Sequence, residues 1–124
     1  MSSIANTIYQ AIVNHTHWKK HLHNIIEQGG NPDDFAIEQD KFDNWLKTNA
    51  KELSQYEHYS KVVELNRKLH YEAQKIIHLA LSGKPTEAKA LIEYGSDFEH
   101  LSQNLVQNII AWHDIVIGKK QQQG

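Results

Sequence analysis

The segment around Tyr59, Val62, Val63, Leu69, Ala73, Ile76 and Ala80 repeats apolar residues at intervals of three and four. That period belongs to one buried face of an α-helix and excludes a strand. Asn66 lies on the same stripe, and His70 sits one turn further on beside Leu69. A second stripe, Ile4, Ile8, Ile12, Trp18, Leu22 and Ile25, carries His15 among its members. Polar groups taken into a core cost stability unless they are paired. Three of them on core faces therefore call for a shared partner, either a metal ion or a hydrogen-bonded network.

The rest of the chain is read in the same way. Helix one is expected from Ile4 to Gln28, stopped by Gly29-Gly30, with Asn31-Pro32-Asp33-Asp34 as a loop. A short helix follows near Gln39 to Thr48, with Phe42, Trp45 and Leu46 turned inward, and Asn49 to Ser54 is a connector. Ser54 is placed to cap a third helix over Gln55 to Ser82, which Gly83 ends. Lys84 to Glu87 turns into a fourth helix carrying Ala88, Leu91, Phe98, Leu101, Leu105, Ile109, Trp112 and Val116, with a kink at Gly95-Ser96. The expected fold is all-α, a four-helix bundle of three long helices and one short one. It occupies residues 1–118, followed by a polar flexible tail over 119–124. Such a tail fits a fragment of a longer protein or a tag scar.

Composition narrows the function. The 124 residues suit one domain. With 15 acidic and 13 basic residues, no basic face points to nucleic acid. There is no cysteine, which removes disulfides, thiolate nucleophiles and cysteine ligands. No apolar run approaches membrane-spanning length, and the opening residues lack the pattern of a signal peptide. A cytoplasmic location without membrane insertion is the resulting expectation. Trp18, Trp45 and Trp112 read as core anchors, because large aromatics dominate small cores.

Three segments set side by side carry a resemblance: His15-Thr16-His17-Trp18-Lys19, Asp40-Lys41-Phe42-Asp43-Asn44-Trp45-Leu46, and Asn66 through Ala73. Their order and spacing resemble the chemoreceptor zinc-binding domain family. Its elements are His-x-x-Trp-Lys, Cys-x-Leu-Gly-x-Trp-Leu and His-x-x-Leu-His-x-x-Ala. Leu81-Ser82-Gly83-Lys84 and Ser96-Asp97-Phe98 extend the likeness over nearly the whole chain. In that family three histidines and the cysteine hold zinc in a four-helix bundle. His15 and His70 match two of those histidines, Asp40 stands at the cysteine position, and Asn66 at the remaining histidine.

The resemblance implies a metal set of His15, Asp40 and His70, with Asn66 as a weak ligand or a holder of bound water, and zinc as the metal. Carboxylates do ligate zinc, whereas a neutral amide is a poor ligand for it. At about 100° per residue, His17 and His21 lie roughly 200° and 240° round the helix from His15 and should face outward. His78 is about 12 Å along the axis from His70, beyond a shared site.

The resemblance also implies a sensory or regulatory role, with the domain attached to chemoreceptors or diguanylate cyclases and assembled as a homodimer next to a signalling output domain. The other reading is a metal-free dimerisation scaffold that kept the fold and lost the site. An enzyme is not expected. Di-iron bundles need inward Glu-x-x-His pairs, and Glu57-His58 and Glu99-His100 are adjacent pairs instead.

Overall fold

The computed structural model describes residues 3–30, 41–93 and 95–123, with side chains between 4 and 118. Among these residues the protein is all-helical. Its segments are α1 (Ser3–Gln28), α2 (41–48), α3 (Ala50–Leu53), α4 (Glu57–Leu81), α5 (Pro85–Ala90) and α6 (Asp97–Gln123). No helix among the described residues is long and apolar enough to cross a membrane.

α1, α4 and α6 pack on one another, and α5 fills in against α4 and α1. The apolar stripes form the contact. Ile8, Trp18, Leu22 and Ile25 of α1, Val62, Leu65, Leu69, Ala73 and Ile76 of α4, and Phe98, Leu105, Ile109 and Trp112 of α6 are all buried. Trp112 is fully enclosed, with Trp45, Tyr56 and Tyr59 ringed around it at centroid distances of 6.1 to 6.2 Å. Each contact is tilted or edge-on, the arrangement that the ring quadrupoles favour. The Tyr59 hydroxyl donates to the Leu46 carbonyl at 2.9 Å, tying α4 to α2. On the opposite side Lys19 pairs with Glu99 at 3.0 Å, joining α1 to α6.

Helix ends follow local chemistry, and here the structure departs from expectation in three places. The residues Asn49 to Ser54 are not a plain connector. They contain the short helix α3, and the Ser54 hydroxyl donates back to the Lys51 carbonyl rather than capping α4. α4 begins after Tyr56, which is extended and makes no side-chain cap. Finally, the single fourth helix is two helices. Gly95 adopts φ +87°, a conformation that ends helical progression, and the Ser96 hydroxyl accepts the Glu99 N–H at 3.2 Å. Ser96 with Glu99 three residues on is an N-terminal capping pattern, so the chain starts α6 afresh there instead of bending through. The stops at Gly29 and Gly83 fall where the sequence places them. Gly83 has φ +91°, and the Lys84 N–H reaches back to the Leu79 carbonyl at 3.2 Å.

If the three stripes form one core, the cost of truncation should track burial. Leu69→Ala should lose roughly 2–5 kcal/mol in urea denaturation. Leu91→Ala, at a residue 48% exposed, should stay within about 0.5 kcal/mol of the parent.

Candidate functional site

Helical periodicity on α1 and α4 delivers His15, Asn66 and His70 to one place. All three line a cavity of about 360 Å³ bounded by α1, α2, α4 and α6. Trp18 contacts both imidazoles. Its ring stacks on His15 at 5.3 Å and lies tilted against His70 at 5.6 Å, with Phe98 closing behind it at 5.9 Å. One indole thereby fixes the planes of both histidines.

Each histidine also has an oxygen partner. His15 Nε2 and Ser102 Oγ share a hydrogen bond of 2.8 Å between α1 and α6. His70 Nδ1 pairs with Asp43 Oδ2 at 3.2 Å. The other Asp43 oxygen, Oδ1, accepts from the Asn66 side-chain amide. A single carboxylate on α2 thus bridges two positions one turn apart on α4. The buried amide, only 3% exposed, is satisfied by it, as a core polar group must be.

Burial dominates the electrostatics of His15. Desolvation pushes its pKa down to about 4, with further lowering from the Lys19 ammonium and from His70, opposed by Glu99. At neutral pH this ring is uncharged, with a lone pair on one nitrogen. The carboxylate beside His70 holds its proton on Nδ1 and leaves Nε2 as the basic nitrogen. Carboxylate-backed histidines of this kind are common around metals.

The expected residues divide as follows. His15, Asn66 and His70 come together. Asp40 lies outside the described residues. His17 is exposed as expected but lines the cavity mouth, while His21 is half-buried instead of facing fully outward. His78 is exposed, away from the cavity lining. Two participants went unread. Asp43 was hidden beside the apolar Phe42, Trp45 and Leu46, although it precedes Leu46 by three residues on the same face. Ser102 was the more legible, because Phe98, Ser102, Leu105 and Ile109 keep a spacing of four, three and four, and it is 1% exposed.

Among the described residues, no three His, Cys, Asp or Glu side chains converge as a ready metal cage. The described imidazoles that line the cavity are those of His15, His17 and His70. No protein-family model, curated protein or solved structure matches the chain.

The low His15 pKa has a consequence for stability. The unfolded histidine binds a proton near pH 6.5, while the folded one resists until about pH 4. Its contribution is therefore complete above pH 6.5 and is lost as pH falls toward 4. In chelator-treated protein, NMR titration should place the His15 midpoint near 4, and His15→Gln should flatten the stability slope across that window. A His15 midpoint near 6.5 would show the ring to be solvated.

Proposed function

We propose that this chain is a cytoplasmic sensory or regulatory domain of a bacterial signalling protein, of the chemoreceptor or diguanylate cyclase type, that responds to a divalent metal such as zinc. The signalling role comes from the resemblance of its three elements to chemoreceptor zinc-binding domains. The observation that carries the metal reading is the pair of imidazoles, His15 and His70, lining one cavity beside Trp18, each backed by an oxygen partner. In this reading His15, His70 and Asp40 hold the ion, and Asn66 acts at one remove by anchoring Asp43. The helices work as a four-helix bundle in which α5 and α6 together supply the fourth leg. The domain pairs with a second copy and passes its state to an output domain.

The metal would supply a bond joining α1, α2 and the middle of α4. Occupancy would favour one placement of α2 against the long helices, and loss would release it. Such a switch works only to the extent that the two placements bind the ion with different affinity.

A specific observation favours the second reading, a metal-free association module. The bonds from Asp43 to Asn66 and His70, and from Ser102 to His15, already give the buried amide and both imidazoles a partner without a metal. The two readings differ in metal content. Elemental analysis of untagged protein, purified without a metal column, should give about one equivalent per chain if the first is right, as expected for a single closed site. That metal should be lost in His15→Ala/His70→Ala and kept in His17→Ala. Protein that carries no metal and takes up none from added zinc belongs to the second reading.

A further inference from the structure

The same cavity is lined by residues other than the two histidines. Its floor is apolar, with Leu105 and Ile109 each 1% exposed. Phe42 and Trp45 also line it, stacked at 5.9 Å with their planes 15° apart, so a further planar ring can add to the stack. At the mouth stands Lys41, exposed, with no hydrogen bond or ion pair among the described residues. No aspartate or glutamate is among the described lining residues. Asp43, the nearest described carboxylate on α2, is already committed to Asn66 and His70.

The volume, about 360 Å³, lies in the lower part of the ~300–1,000 Å³ range of small-molecule sites. Such sites combine apolar and aromatic walls with a few polar groups that orient the ligand. A flat aromatic wall selects a planar ring through offset stacking. An ammonium beside it, without a partner among the described residues, selects a negative charge through a charge-assisted hydrogen bond.

We infer that this cavity binds a small planar aromatic carboxylate, its ring against Phe42 and Trp45 and its carboxylate on Lys41. The ring and charge determinants all belong to α2, so the site rests on the placement of α2 that the proposed metal would favour.

The test is calorimetric titration of the full chain with naphthoate, run once with chelator and once with one equivalent of zinc, so that a dependence on the metal is read directly. One saturable site per chain is expected. Lys41→Met, an exposed change that leaves the core alone, should weaken it by about tenfold or more, and neutral naphthamide should lose a similar factor. Ala11→Phe, which projects a ring into the same cavity, should abolish binding while the helical circular dichroism persists. No saturable binding at millimolar naphthoate would overturn the proposal. So would an affinity that Lys41→Met leaves unchanged, or naphthamide binding as tightly as naphthoate. If Ala11→Phe fails to fold, Lys41→Met and naphthamide decide.

Discussion

The Asp43 carboxylate holds together what the apolar contacts leave undecided. α2 spans 41–48 among the described residues and buries only Leu46 completely, with Phe42 and Trp45 half-covered. Two polar ties supply its registration against α4: Asp43 to Asn66 and His70, and the Leu46 carbonyl to Tyr59. Directional bonds of this kind discriminate between neighbouring placements more sharply than apolar burial does, because burial is non-directional. Removing the carboxylate would also strand a buried amide, at a cost of about 1–3 kcal/mol.

Around that tie, the core is organised to keep two imidazoles in fixed planes. Trp18 contacts both, and Phe98 fixes the indole from behind. His15 is kept uncharged by burial and by the Lys19 ammonium, and that ammonium is itself held by Glu99. The same surroundings suit either a metal, which needs an uncharged imidazole, or a closed hydrogen-bond network. What separates these outcomes is the supply of a third anionic donor. In the proposed metal site that role falls to Asp40.

Much of this was legible before any coordinates. The stripes of α1 and α4 were readable because burial imposes a three-and-four period that polar faces break. The same period brought out His15, Asn66 and His70 as polar intrusions. The break at residues 91–96 was not readable, since nothing in Gly95-Ser96 alone distinguishes a tolerated kink from a left-handed turn followed by a capped start. Asp43 was missed because a carboxylate early in a short helix also serves as an ordinary helix-start residue. Its bonds to Asn66 and His70, 23 and 27 residues away, are fixed only by how α2 docks.

The central claim is that ligand occupancy between His15 and His70 is read as the placement of α2. Amide hydrogen exchange with and without one equivalent of zinc tests it most directly. The account predicts added protection in residues 41–48 and around Asn66 and His70 on zinc binding, and none in a His15→Ala/His70→Ala protein. Identical exchange in the two states would contradict it.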